Sequence, residues 1–316
     1  MPNVWTHLLF AEELARIAGL NIAKSPEPVK RIYRFGSQGP DFLFYHRFLP
    51  WQGDSGMRKL GGAMHKFSCG PFMMDLFGAV RGLPVESPEA VYALGFLTHH
   101  LLDRRAHPYV FYRSGFAKWD HQRFEIIVDT LVVRKLLGLE TWNTPVWEKI
   151  DIGSKLPGRI ADILHAIARN RYPELSAPFT AGDWNDACRD MIRAQRLFHD
   201  PSGWKRKLTF GRIEPFVYKR SVPPLDYLNE ERREWRHPSI EDERYSCSFW
   251  DLWEQALTDG KAVLPAAVEY LQSDAESAPG ARDRLEALLG DISYETGKPC
   301  ASGLKIRYAD PMELRG

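Results

Sequence analysis

The stretch from Gly95 to Glu125 constrains this chain more than any other. His99 and Asp103 are four residues apart, as are Asp103 and His107; after thirteen further residues, His121 and Glu125 repeat the spacing. On an α-helix, residues four apart stand one above the other on one face. Each pair can therefore grip a single cation from a rigid scaffold. Imidazole nitrogen together with carboxylate oxygen suits Zn²⁺. Finding such pairs on two successive helical segments, in a chain with only ten histidines, points to a metal site.

The flanking sequence predicts helices on both sides. Residues 6–18 form a helix that Thr6 can cap and Gly19 can end, with His7, Phe10, Leu14 and Ile17 on one face. His7 thus points inward, either as a hydrogen-bonded core residue or as a ligand. Residues 20–40 read as loop around a short helix. Asp41, after Pro40, either answers a helix dipole or serves as ligand or general base. Phe42, Phe44, Tyr45 and Phe48 line a pocket or fill the core. Residues 49–56 are a polar loop, and Gly61-Gly62 leads to His65, a position open to a ligand. A helix over 86–104 starts at Ser87-Pro88, and Pro108 stops or bends it just past His107. His100 falls beside the ligand stripe or at the surface. Arg104 and Arg105 meet either a phosphate or, more ordinarily, water and carboxylates. Lys118 to Leu137 is a second helix, where Asp129 continues the His121–Glu125 stripe as partner of a ligating histidine or as a surface acid.

Beyond Gly138 the pattern predicts helices over 156–170, 183–198 (capped by Asp183), 248–271 (opened by a Ser248–Asp251 capping box) and 280–289. His165 reads as a core or edge residue, and His199-Asp200 as a helix end. Residues 201–245 are rich in Pro, Arg and aromatics and read as a lid or wrapping segment. The tail from Gly297 is expected to be loosely ordered. No segment reads as a strand, so the fold class is all-α, a single multi-helix domain. Residues 1–138 form the metal-site core, and 139–316 pack on it.

Composition narrows the function. A net charge of +1 argues against a protein held on nucleic acid by bulk charge. No run of apolar residues is long enough for a transmembrane helix, and no secretory signal is visible, so a cytoplasmic protein is expected. Cys69, Cys188, Cys247 and Cys300 are scattered without a Cys-x-x-Cys pair. They read as reduced thiols, with no cysteine zinc site.

The order of donors carries a resemblance. Met1-Pro-Asn-Val-Trp-Thr-His7, Gly39-Pro-Asp41, Met64-His65, His99 with Asp103, His107, and His121 with Glu125 resemble the bacterial zinc-dependent phospholipase C family, and more distantly the zinc-cluster single-strand nucleases. The resemblance covers roughly the first 130 residues. It implies an all-helical fold with a zinc cluster between helices. One ion would take Asp41, His65, His99 and Asp103, and a second His107, His121 and Glu125. A third would take His7, Asp103 and a terminal Trp amine, with Asp41 as general base. Two departures stand out: Trp5 is internal, so the third ion lacks its amine, and the Asp103–His107 interval is shorter than in the best-known members.

Three functions follow, in this order: a zinc phosphodiesterase acting on phospholipid, with peripheral membrane contact; the same cluster used on nucleic acid; and a non-enzymatic, zinc-stabilised scaffold.

Overall fold

A computed structural model describes residues 3–53 and 56–314. The chain is mostly helical, as expected. Its axis is the helix Pro88–Ser114, 27 residues long and buried along nearly its whole length. A helix buried all round needs neighbours on every side. Glu27–Gly36 and Phe249–Gln272 pack on it most extensively, with Val4–Ile17, Cys69–Val80 and Asp120–Leu137 completing the jacket. The hydrophobic core is continuous from Val4 to Leu314 and draws on both halves of the sequence.

Two glycines set the closest helix contact. A Cβ on Gly95 would collide with the Tyr33 carbonyl, and one on Gly36 would meet the Tyr92 carbonyl at 2.5 Å. The two backbones therefore touch, which brings the loop after Gly36 against the central helix one turn before His99.

Pro108 does not end the central helix; the helix runs six residues past it to Ser114. A proline in a helix interior removes one hydrogen bond and frees the carbonyl four residues back. Here that carbonyl belongs to Arg104, and Gly297 packs directly on it, leaving no room for a side chain. Burial and this contact outweigh the local preference to stop.

Other starts and ends differ by a few residues. The first helix is capped by Asn3, whose Oδ1 accepts from the Val4 amide, and not by Thr6. The helix Ala181–Phe198 is capped by Thr180, with Asp183 returning the bond from the third helical position. Met57–Met64 is a helix despite Gly61-Gly62, and His65 closes it. Cys69–Val80, which no sequence cue marked, is a further helix. Ser248 and Asp251 do form a capping box, opening Phe249–Gln272. Residues 201–245 wrap the fold with one short α-helix, Trp204–Leu208, a 3-10 helix, Glu214–Phe216, and one antiparallel ladder pairing Trp235 with Tyr245. That ladder is a small exception to the strand-free expectation. It is held by stacking of the two rings at 4.6 Å rather than by any alternating pattern.

The tail is tied down. Asp310 N donates to the Tyr112 carbonyl and Met312 N to the Arg113 carbonyl, while Arg307 and Tyr308 both donate to the Pro238 carbonyl. These bonds anchor it along the end of the central helix. Among the described residues, no helix is long and apolar enough to cross a membrane.

Candidate metal centre

The eight donors expected from the sequence meet in one place. The central helix carries His99, Asp103 and His107 on one stripe; His7 comes from the first helix, Asp41 from the 3-10 turn Gly39–Tyr45, His65 from the end of Met57–Met64, and His121 and Glu125 from the first turns of Asp120–Leu137. Three groups have their ligand atoms within 4.8 Å of one another: His7, Asp41 and His99; His65, His99 and Asp103, which shares His99 with the first; and, separately, His107, His121 and Glu125. His99 Nε2 lies 3.1 Å from Asp103 Oδ2, His65 Nε2 3.2 Å from Asp41 Oδ1, and His121 Nε2 2.8 Å from Glu125 Oε1. His7 Nε2 lies 3.3 Å from Asp103 Oδ1, with its ring stacked on His99 at 4.2 Å. The four-residue spacing between Asp103 and His107 does not turn His107 away: it joins the third group.

Four imidazoles are oriented from behind through Nδ1. His65 is bonded to the Gly61 carbonyl at 2.7 Å, His99 to the Ser37 carbonyl at 3.2 Å, His107 to the Tyr294 carbonyl at 3.1 Å and His121 to Ser114 Oγ at 3.2 Å. The three carbonyls can only accept, so they fix Nδ1 as the protonated nitrogen and point Nε2 into the site, as outer-shell partners of metal-bound histidines do; the Ser114 hydroxyl, which can donate or accept, holds the His121 ring in place.

Several buried polar atoms here have no hydrogen-bond partner: Nε2 of His7, His99 and His107, Oδ1 of Asp41, and both carboxylate oxygens of Asp103. Native interiors seldom leave such atoms bare, since desolvating even one without compensation costs about 1–3 kcal/mol. Six within one set of neighbouring donor groups fit bound cations. The set is nitrogen and oxygen only, which suits zinc.

The electrostatics agree. Burial opposes the charge on Asp103, but His107, His99 and His7 around it hold its carboxyl well below the usual range. Burial pushes His107 and His121 well below the ordinary imidazole range. Burial, reinforced by His99, also lowers His7. Burial works against a charge on His99 as well, yet Asp103 and Asp41 carry it upward overall. A charged Asp103 beside His7, His107 and His121 held toward the neutral form is the ionisation state a cation needs, while His99 is drawn the other way by its two carboxylates.

Neighbouring residues take other roles. Asp129 is neither a partner of a ligating histidine nor a surface acid. One turn beyond Glu125 the stripe runs under the start of the first helix, and there Asp129 accepts from the Trp5 and Thr6 amides, Thr6 Oγ1 and Tyr218 Oη. It therefore positions the turn that carries His7. The Trp5 nitrogen is spent on this bond; residues 1 and 2 lie outside the described residues. His100 is fully buried, beside Arg104 and the Tyr294 ring. Arg104 and Arg105 both pair with Asp259 and face away from the donors. Asp200 caps Trp204–Leu208 by accepting from the Lys205 and Arg206 amides.

Sequence reading missed Tyr294. Its carbonyl orients His107 and its amide binds the His65 carbonyl, so one residue braces two groups from 170 positions or more away. It also took the cysteines as scattered. Cys69 and Cys300 meet beside Asp291 with ligand atoms within 4.8 Å, a fourth group that could hold a metal. Chain distance hid both.

A cleft of about 1050 Å³ opens on the site, and Asp41, His65, His107, His121 and Glu125 form its floor. Phe48, Phe198, Phe216 and Trp119 make one wall, in contact in series at 6.1, 4.8 and 4.9 Å between ring centroids. No family model, curated protein or solved structure matches this chain.

Proposed function

We propose that this chain is a zinc-dependent phosphodiesterase acting on phospholipid in the manner of a phospholipase C. The observation that carries it is the convergence of unpartnered, buried nitrogen and oxygen donors beneath an open cleft with an apolar wall. Asp41, His65, His99, Asp103 and His7 would hold one part of a zinc cluster, and His107, His121 and Glu125 the other. Zinc bound there would supply a Lewis acid for phosphoryl oxygens and hydroxide at neutral pH. The rest falls to the chain. Asp41 borders the cleft as well as the donor group, so its carboxylate is placed to orient a water and accept its proton. The aromatic wall offers a place for the apolar part of a lipid and displaces water from the reacting groups. Cleavage on the glycerol side of phosphorus would give diacylglycerol and a phosphorylated head group.

The test is zinc per chain by elemental analysis, without chelator, in the parent and in His99→Ala and His121→Ala. Each variant is expected to lose zinc and hydrolysis of a chromogenic phosphodiester. Asp41→Asn is expected to keep its thermal midpoint near the parent while turnover falls by about 10²–10⁴. Unchanged zinc in both histidine variants would end the cluster assignment. An active Asn variant would remove Asp41 from the base role.

A further inference from the structure

The mouth of the cleft carries two features that the donor set does not explain. The first is charge. Besides Asp41 and Glu125, which belong to the floor, its lining includes Arg47, Arg58, Lys118, Arg123, Arg212 and Glu295. Arg123 is paired with Asp120 and Glu214, and Glu295 with Lys66. Among the described residues, no carboxylate lies within ion-pair distance of Arg47, Arg58, Lys118 or Arg212. Among the described residues, four cations without a carboxylate partner thus ring one opening in a chain whose net charge is only +1. That local field favours an anion.

The second is exposed aromatic surface. Trp51 is 78 % exposed, Phe116 62 % and Phe210 92 %. Each lies within two residues of a lining position: Trp51 follows Pro50, Phe116 precedes Lys118, and Phe210 precedes Gly211. Two residues of chain span about 7 Å, so the three rings stand at the rim. They come from three different loops. Large rings this bare on a soluble surface mark an interaction site when they gather around an opening.

Backbone conformation adds a third, independent sign. Of the six described non-glycine residues with positive φ, three are at this rim: Arg47 at 52°, Trp119 at 69° and Phe210 at 51°. Bulky side chains seldom adopt this region, and where they do the strain tends to sit at functional surfaces.

We infer that the cleft mouth docks on a bilayer bearing anionic lipids, with Trp51, Phe116 and Phe210 entering the headgroup layer and Arg47, Lys118 and Arg212 facing lipid phosphates. Aromatic rings beside cations are the composition of an interfacial anchor, the rings gaining from burial at the acyl boundary and the cations from the surface potential. A single-stranded nucleic acid would instead ask for free ring faces inside the groove. Here two of the inner rings cover one another, Phe198 lying flat against Phe216 at 16°, and the barest rings belong to the rim rather than to the cleft lining. For its purpose the docking rests on the lipid substrate proposed above; the contact itself is measured without turnover.

The experiment is co-flotation of the full chain with vesicles of phosphatidylcholine alone and of phosphatidylcholine mixed with phosphatidylglycerol, at low and high salt. Expected is binding to the mixed vesicles that weakens with salt, and little to phosphatidylcholine alone. Arg47→Gln with Arg212→Gln should weaken it about 25-fold, at roughly fivefold per cation. Trp51→Ala with Phe210→Ala should abolish flotation while the thermal midpoint, as for other exposed positions, stays near the parent. Equal binding to both vesicles overturns the charge assignment, and unaltered binding by either double variant overturns the assigned surface. Absence of flotation alongside tight binding to single-stranded DNA, or alongside a dimer that the aromatic variant dissociates, overturns the lipid as occupant. Flotation without phosphodiester hydrolysis defeats the proposed function alone. Hydrolysis of a soluble phosphodiester without flotation defeats the docking alone.

Discussion

Tyr294 does its work with its main chain as much as with its ring. Its amide and carbonyl hold His65 and His107, while the ring lies 5.2 Å from His65, 5.7 Å from His99 and 4.6 Å from His100. Tyr294→Ala keeps the main-chain bonds but empties the space behind three imidazoles. Loss of a buried aromatic costs about 3–5 kcal/mol, and loosened outer-shell support lowers metal affinity about 10–100-fold. Denaturant unfolding and zinc competition with a chelator read the two effects separately. Asp129 sets a different test. Burial pushes its carboxyl up to about 6, against the bonds from Thr6 and Tyr218. A folded pKa above the unfolded value means that the folded chain holds the extra proton between them. This group therefore adds stability as pH falls through about 6 toward about 4, and withdraws it as pH rises. The stability gap between the parent and Asp129→Asn is expected to widen from about pH 7 to about pH 5, measured by thermal midpoint. A constant gap would show that Asp129 does not titrate there. The donors themselves were readable in the sequence because helix geometry is local: a four-residue interval fixes who shares a face. Tyr294 and the cap made by Asp129 were not readable, because their partners lie 124 residues away for Asp129 and Trp5, and 187 for Tyr294 and His107.

At the scale of elements, the central helix is both the spine of the core and the holder of three donors, so its packing and its chemistry cannot be altered separately. Gly95 is the clearest case. A methyl group there meets the Tyr33 carbonyl and presses the loop that offers the Ser37 carbonyl to His99. Gly95→Ala is expected to destabilise by about 1–3 kcal/mol, as overpacked cores do, and also to weaken zinc retention. An equally stable variant with a full zinc content would show that the two helices can part without disturbing His99. Sequence periodicity placed the spine but not its length, and its partner Glu27–Gly36 lies in a stretch that reads only as loop around a short helix. Pro108 is a stop signal by local rules, and only the approach of Gly297, far along the chain, explains why it is overridden. The cleft mouth was likewise hidden, since Arg47, Lys118 and Arg212 come from separate loops whose pairing is fixed by the fold.

Over the whole molecule, the helical class followed from the helix-period pattern, whereas the wrapping of the last third did not. The tail looked loose because it is polar and aperiodic. Its order comes from main-chain bonds to the end of the central helix, which leave no trace in composition. The region after Gly290 therefore belongs to the site as much as the donors do. A chain ending at Gly290 is expected to lose its zinc on dialysis against a weak chelator while the full chain keeps it. Equal retention would show that the first 290 residues shape the centre unaided.

The bond between His107 and Tyr294 also sets a clock. All eight donors are synthesised before their brace, since Glu125 precedes Tyr294 by 169 residues. At about 5–20 residues per second, roughly ten to thirty seconds of synthesis separate Glu125 from Tyr294. Throughout that interval His107 lacks the carbonyl that orients it, whereas His65, His99 and His121 already have Gly61, Ser37 and Ser114 beside them in the chain made so far. Under the proposed zinc reading, the group of His107, His121 and Glu125 is therefore the last to be completed as the chain is made.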